Sequence, residues 1–390
     1  MLFRSVDQQQ IEPAQARLEL DHLVLAHGLD EFDHEPLVIN GNGDPATGNV
    51  FINNSSGWRQ PITLNAPLRA FAAAGETWTV NSPISGVGAF ITTGPGTVLF
   101  DWNTANSYSG GTWVKDGELR LSRAATNVSV PGDLTIGDGI GASGSARVVL
   151  DATSQQIADV SDVVINSDGR LIITNQPYVE IIRTLSGGGE LVVSNSTLRF
   201  NDSGNNATFS GSIRGNGDLI KAGAGTFTFD GDNFASGLTL SLFGGATVID
   251  GSWNGAPGSL IDAYGGTALR GNGIAQDVNL RSGAVLAPGG AGGGSGRLTV
   301  NKLMLQPSAN LFMEINGVNP GVNHDQVVAR SEVWVTNATL TLAVNFIPTE
   351  GQVITLVDNR SASPVRGVFN NRPKGSVISD SGTSFLLNYA

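Results

Sequence analysis

Two stretches of this chain repeat each other without a gap, and this repetition limits the possible folds more than any other feature. Ile84–Asp101 reads ISGVGAFITTGPGTVLFD, and Ile213–Asp230, further along the chain, reads IRGNGDLIKAGAGTFTFD. Nine of the eighteen positions are identical. A weaker third copy covers Leu185–Asn201, and a fourth begins at Leu269. Repetition of this kind is typical of a solenoid, in which similar units stack along one axis.

The repeated unit reads as short strands joined by glycine-containing corners. Because side chains alternate along a strand, Thr226 and Thr228 should point to one side, and Phe227 and Phe229 to the other. Glycine at a corner permits a positive φ and a close approach between stacked coils. One unit cannot bury its own apolar side, whereas stacked units can. The repeat therefore predicts a parallel β-helix.

The predicted fold class is all-β: a right-handed parallel β-helix with a β-rich C-terminal cap. Residues 49–300 should form the repeat region, in roughly ten to twelve coils of about 20–25 residues. Residues 301–390 should form the C-terminal end and cap, because an open end exposes unpaired strand edges. Residues 1–48 lack the recurring short β-prone runs of the rest of the chain. Within them, Ile11–Leu29 has the residue types and the imperfect apolar spacing of a helix. This N-terminal segment is predicted to be irregular or helical.

Composition excludes several classes of protein. Gly contributes 52 of 390 residues, whereas charged residues make up 14% and hydrophobic residues 40%. That hydrophobic content is too high for a disordered chain. The net charge of −12 argues against a nucleic-acid groove. The absence of cysteine excludes disulfides, zinc–thiolate sites and cysteine nucleophiles.

Acidic residues are the first candidates for chemistry, because β-helical enzymes that cleave polysaccharides need two or three converging acids. The nearest candidates are Asp230 and Asp232, with Asp250 and Asp262 on later coils. However, Asp230 repeats Asp101 at the same turn of the unit, and an acid at a repeated corner is more simply a turn former. We therefore predict no catalytic residues.

Two further candidates are weighed in the same way. The pair His324-Asp325 has the residue types of a base and its orienting carboxylate, but no serine lies in a G-x-S-x-G nucleophile elbow. The G-x-G pieces lack the βαβ context of a dinucleotide site. A metal site is conceivable in the N-terminal segment, but its spacing fits no defined motif. Its candidate ligands are His22, His27, His34, Asp30 and Asp33. No metal and no cofactor are predicted.

The repeat resembles the autotransporter-associated β-strand repeat, whose unit has a G-x-G, then L-x-K-x-G-x-G-T-L-x-L, then a Y-x-G turn. Leu219, Lys221 and Thr226 occupy such positions, while Thr92 replaces the lysine in the first copy. Downstream, Gly283–Gly289 reads GAVLAPG and resembles the G-x-x-L-x-P-G element that follows these repeats. The match covers about residues 80–390. The framework residues are Gly86, Gly88, Gly94, Gly96, Thr97, Phe100, Gly215, Gly217, Lys221, Gly223, Gly225, Thr226, Phe229, Pro288, Gly289 and Asp325.

The resemblance implies a secreted passenger displayed on the cell surface of a Gram-negative-type bacterium, associated with the outer membrane. It implies a structural stalk or adhesin-type protein, not an enzyme. Surface glycans, a host surface or like molecules are the implied partners, and nucleic acid is not. The export signal and the outer-membrane barrel of such a protein are absent from this sequence. We therefore expect the chain to be a fragment of a longer protein or to be anchored by other means.

Two alternatives remain open. A carbohydrate-binding or carbohydrate-cleaving parallel β-helix would use exposed aromatic rings to stack on sugars, and the candidates are Trp58, Trp102, Trp113 and Trp253. A trimer similar to a phage tail spike is the other alternative, although the sequence has no trimerisation coiled coil.

Overall fold

The computed structural model describes residues 36–389 except 42, 44–47, 125–126, 202–203, 233–236, 254–257 and 381, together with the backbone of 18–19 and 23–25. Every regular element in this part of the chain is a β-strand. Apart from one C-terminal hairpin, the strands pair in parallel with the coils before and after them. The chain passes around three faces in turn, which we call faces 1, 2 and 3.

Face 1 is one sheet of 15 strands that runs along the described part of the solenoid. Its strands are Leu23–Leu25, Val50–Ile52, Leu68–Ala72, Phe90–Thr93, Thr112–Val114, Leu134–Ile136, Asp162–Ile165, Thr184–Gly187, Ala207–Phe209, Thr226–Phe229, Gly245–Ile249, Thr267–Gly271, Val285–Pro288, Asn310–Ile315 and Thr339–Val344. Face 2 has eight strands. They are Ser56–Trp58, Thr77–Val80, Thr97–Phe100, Gly117–Leu121, Ala146–Leu150, Gly169–Thr174, Glu190–Ser194 and Ser212–Arg214.

Face 3 is divided into a lower and an upper sheet. The lower strands are Leu18–Glu19, Leu37–Ile39, Ile62–Leu64 and Ile84–Gly86. The upper strands are Val179–Ile181, Thr197–Phe200, Asp218–Lys221, Thr239–Leu242, Leu260–Ala263, Asp277–Leu280, Arg297–Leu305, Gln326–Thr336, Val357–Asn359 and Arg366–Val368. An antiparallel hairpin of Val377–Asp380 and Thr383–Leu386 lies beyond the last coil.

The stacking confirms the predicted parallel β-helix. Along face 1, Phe90 pairs with Thr112 and Thr112 with Leu134, so these coils follow one another at a constant spacing that falls within the predicted coil length. Twelve face 1 strands lie between Val50 and Pro288, in agreement with the predicted ten to twelve coils. The four successive strands that begin with Arg297–Leu305 are longer, at nine, six, eleven and six residues. The hairpin contacts the fourth of them, Thr339–Val344, through Asp380, whose Oδ2 accepts the Val344 N–H at 2.8 Å. The β-rich C-terminal end is thus confirmed.

The core lies inside the coil and follows the predicted alternation. In Thr226–Phe229 the two phenylalanines are fully buried and the two threonines are partly exposed. Phe227 and Phe229 pack with ring centroids 4.7 Å apart, and Trp253 of the next coil lies 5.1 Å from Phe229. Aromatic side chains therefore fill the lumen at these coils.

The copies of the repeat do not occupy equivalent faces. The copy at Ile84–Asp101 places its three strands on faces 3, 1 and 2, and the copy at Ile213–Asp230 places them on faces 2, 3 and 1. The copy at Leu185–Asn201 uses faces 1, 2 and 3. The first two copies are thus separated by a whole number of coils plus two further faces, and the repeated unit is a strand–corner–strand module that fits any of the three corners.

The N-terminal prediction of a helix is wrong where the structure describes it. Within Ile11–Leu29, Leu18–Glu19 and Leu23–Leu25 are strands that pair in parallel with Leu37–Val38 and Val50–Ile52. The remaining residues of that range lie outside the described part. Three consecutive apolar residues, Leu23–Leu25, are more typical of a strand than of one helix face, and the strand Val50–Ile52 of the next coil supplies their hydrogen-bond partners.

Candidate functional site

The acids singled out in the sequence do not converge. Asp230 and Asp250 lie at one corner on successive coils, and both side chains are exposed. Their N–H groups donate to the carbonyls of Phe209 and Phe229 of the coil below, at 3.1 and 3.0 Å. Asp101 donates in the same way to Val80, at 3.2 Å, at the equivalent turn of the first copy. These contacts support the interpretation of the repeated acids as corner residues.

Asp262 has a different environment from the other acids. It lies on face 3, 5% exposed, and its carboxylate accepts the Arg281 guanidinium at 2.7 Å. The same guanidinium lies 4.6 Å from the centre of the Tyr264 ring. Asp262 is thus engaged in an ion pair on face 3, whereas Asp232 follows the face 1 strand Thr226–Phe229 and forms a bridge with Ser252 of the next coil, so the two acids do not share a site. Within the described ranges, no three His, Asp or Glu side chains group in a way that would hold a metal ion.

Two of the four tryptophans proposed as sugar platforms are wrongly predicted to be exposed. Trp58 is 1% exposed and Trp253 is fully buried, because both point into the lumen. Trp102 and Trp113 are 38% and 37% exposed and remain available at the surface.

His324 and Asp325 are both buried, and the carboxylate of Asp325 has a clear structural role. It accepts N–H groups from Gly296 and Glu314, each at 2.8 Å, and so joins two coils. Desolvation raises the pKa of Asp325 to about 6, although these two hydrogen bonds oppose the rise. His324 Nδ1 faces the Gly317 carbonyl at 3.1 Å. These contacts support the interpretation of Asp325 as a framework residue. The candidates His22, His27, His34, Asp30 and Asp33 lie outside the described residues.

The framework glycines occupy positions that no other residue could fill without strain. The first glycine of each G-x-G has a positive φ: 108° at Gly86, 102° at Gly187, 115° at Gly215 and 128° at Gly271. A Cβ atom added at Gly215 would lie 1.9 Å from the Val193 carbonyl oxygen in the coil below. The G-x-G therefore forms a corner that packs closely on the coil below, as the sequence predicts.

The framework lysine is buried without a carboxylate. Lys221 Nζ donates to the carbonyl oxygens of Gly223, Gly225 and Gly244, at 2.9, 2.7 and 2.5 Å. Burial lowers the pKa of Lys221 to about 8. In the first copy, Thr92 Oγ1 makes one longer hydrogen bond, 3.4 Å, to the Asp116 carbonyl. Lys221 thus donates to three carbonyls at a glycine corner, whereas Thr92 donates to one carbonyl in the first copy.

A buried polar column lies where face 3 has no strands, between Gly86 and Val179, and sequence reasoning missed it. Arg123 is fully buried, and its Nη2 donates to Ser82 O and Asn106 Oδ1, both at 2.9 Å. Gln156 accepts the Arg123 N–H at 3.1 Å through Oε1. Glu180 Oε1 accepts the Ile157 N–H at 2.8 Å. Side chains here add to the few backbone hydrogen bonds between coils, such as those from Val130 N–H to the Gln156 carbonyl and from Ala158 N–H to the Val130 carbonyl, each at 2.9 Å.

Glu180, an acid in this polar column, has a pKa well above that of an exposed carboxyl group. Burial raises the pKa of Glu180 to about 8, against the opposing effect of the two N–H groups that it accepts. Alternation in Val179–Ile181 would place the two apolar residues inside, yet Glu180 is the buried residue and Val179 is 38% exposed. No local pattern reveals the site, because its partners come from several different coils.

A shallow trough on the outside of face 1 presents exposed side chains from several coils to the solvent. It encloses about 660 Å³ and crosses five coils, from Ala66 to Asn166. Trp113 lies on its floor, with Ile91 paired to it in the coil before and Thr135 in the coil after. Lys115 and Asp138 lie along one rim, and both are exposed.

The rim of this trough is held by the loop after Leu134–Ile136. Asp168 accepts the N–H groups of Gly139 at 2.8 Å and Asp138 at 3.2 Å. Asn166 Nδ2 donates to the Gly137 carbonyl at 2.7 Å. The opposite rim consists of the corner glycines Gly88 and Gly110, which have no side chains to fill the trough.

No protein-family model matches the chain, and no curated protein matches it. In the described part of the chain, no helix is long and apolar enough to cross a membrane.

Proposed function

We propose that this chain is a structural passenger β-helix displayed on the cell surface, where it serves as a stalk or adhesin-type protein without catalysis. The observation that carries the proposal is the unbroken parallel ladder of face 1, from Leu23–Leu25 to Thr339–Val344. Such a ladder makes a rod whose length increases with each coil. The resemblance of the repeat to autotransporter-associated β-strand repeats supplies the cell-surface part of the proposal.

The ionic groups on face 2 are consistent with a structural role. Glu118 accepts Arg120 at 2.7 Å and Arg147 of the next coil at 3.4 Å. Glu190 accepts Arg214 of the coil above at 2.6 Å. These charges bridge neighbouring coils, so they contribute to the rod and do not form a cluster of unpaired acids.

The experiment that tests surface display uses antibodies against the exposed loop of residues 138–143 and cells that make the native protein. We expect labelling of intact cells, and loss of that label after brief treatment with an external protease. An antibody against a cytosolic protein is the control for cell integrity. Labelling that requires permeabilised cells would contradict the proposal.

A further inference from the structure

We propose that the trough around Trp113 binds a neutral oligosaccharide chain. This inference goes beyond the role of a stalk, and it rests on the floor, the rims and the charge of the trough. About 660 Å³ is ample for several sugar rings, and five coils at about 4.8 Å extend for about 20 Å along the axis. The trough therefore has the shape of a site for an extended ligand.

The floor favours a ligand with flat apolar faces. Trp113 is 37% exposed although it lies in the middle of a sheet, flanked by Ile91 and Thr135 in the same outward column. The indole lies beside Gly111, where an added Cβ would be 3.5 Å from its Cη2 atom. A pyranose ring presents C–H groups on one face, which pack on an indole, and hydroxyls at its edge.

The rim supplies partners for those hydroxyls. Lys115 offers N–H donors, and Asp138, on the next coil, offers carboxylate acceptors. Because Asp168 and Asn166 hold the loop that carries Asp138, the rim is ordered before any ligand arrives. A preformed rim reduces the entropy lost on binding.

The same features disfavour two other ligand classes. The N–H and C=O groups of Thr112–Val114 are already paired with the coils on both sides, so a peptide could not add to this sheet as a strand. The trough carries one lysine and one aspartate in a chain of net charge −12, which opposes a polyanion such as nucleic acid or an acidic glycan. A neutral oligosaccharide fits both constraints.

The test begins with a printed panel of neutral and acidic oligosaccharides, followed by titration calorimetry with the neutral hexasaccharide that binds best. Trp113→Ala should weaken binding by about tenfold or more, since it removes the stacking surface. Trp102→Ala is the matched control, because Trp102 is 38% exposed and does not line the trough. It should leave the affinity unchanged.

Lys115→Ala and Asp138→Asn keep the test independent of folding, since both side chains are exposed. Each should weaken binding by several-fold while circular dichroism stays as in the parent protein. The proposal is overturned if no neutral oligosaccharide binds at millimolar concentration, if only acidic ones bind, or if Trp102→Ala weakens binding as much as Trp113→Ala. None of these outcomes bears on surface display, which the antibody experiment tests separately.

Discussion

At the scale of single residues, this solenoid buries charged side chains and satisfies them with backbone groups. Lys221 donates to three carbonyls, Asp325 accepts two N–H groups, and Arg123 reaches carbonyls on two other coils. Corner carbonyls and strand-end N–H groups are the groups that a β-helix leaves without ladder partners. Buried charges of this kind link neighbouring coils where the ladder stops.

Lys221→Met should lower the free energy of unfolding by about 1–3 kcal/mol, because three carbonyls lose a shared donor. The measurement is urea denaturation followed by circular dichroism at pH 7. Lys115→Met is the control, since Lys115 is exposed and should change the free energy by less than about 0.5 kcal/mol. Equal effects of the two substitutions would show that the carbonyl contacts contribute nothing.

Glu180 should make stability depend on pH. Its pKa is about 8 in the fold and about 4.3 in an unfolded chain, so the folded state holds the proton more tightly. Its contribution to stability is therefore complete below about pH 4 and is lost as the pH rises through about 8. Glu180→Gln keeps an acceptor for the Ile157 N–H without the charge, and should gain stability relative to the parent protein between pH 5 and pH 8. Urea denaturation at both pH values tests this, and a constant difference between the two proteins would refute it.

At the scale of the element, the glycine corner is the part that the sequence predicts best. The G-x-G pattern is local, and its positive φ and its contact with the coil below follow from that pattern alone. The face that each copy occupies could not be predicted, because every strand alternates inward and outward in the same way. Trp58 and Trp253 were misplaced for a related reason: an aromatic side chain in such a strand suits either the lumen or the surface.

Adjacent glycines in one corner offer a matched test. A Cβ at Gly187 would lie 2.2 Å from the Ile165 carbonyl oxygen at a φ of 102°, whereas one at Gly188 meets nothing within 4 Å. Gly187→Ala should therefore cost about 2 kcal/mol or more in unfolding free energy. Gly188→Ala should be neutral or slightly stabilising. Thermal and urea denaturation of both variants decide the matter, and similar losses would contradict the corner geometry.

At the scale of the whole molecule, the coil is the unit that can be removed. Face 1 pairs Gly187 with Phe209, and face 2 pairs Leu191 with Ile213, so the segment 187–208 makes one coil here. Deleting this segment should shorten the rod by about 4.8 Å and leave it folded. Deleting Val192 alone should be more harmful, because it turns Val193 outward and Ser194 inward.

Circular dichroism and thermal unfolding of the two deletions provide the measurement. If loss of the whole coil unfolds the chain while loss of Val192 does not, coils are not independent units. The repeat predicted the stacked coils because it can be recognised in the linear order of the residues. The trough and the polar column could not be predicted from it, since their residues come together only when coils of different lengths are stacked.

The stretch of face 3 without strands, between Gly86 and Val179, has a mechanical consequence. Elsewhere in the lower half, three ladders resist bending, but across these coils two continuous ladders do so, helped by a column of side chains and a few isolated backbone hydrogen bonds. Side-chain contacts stretch more easily than a row of backbone hydrogen bonds, because each has several rotatable bonds. Within the lower half of the rod, a lateral load should therefore bend it first at this level, toward or away from face 3, and the trough around Trp113 lies on the adjoining face at the same height.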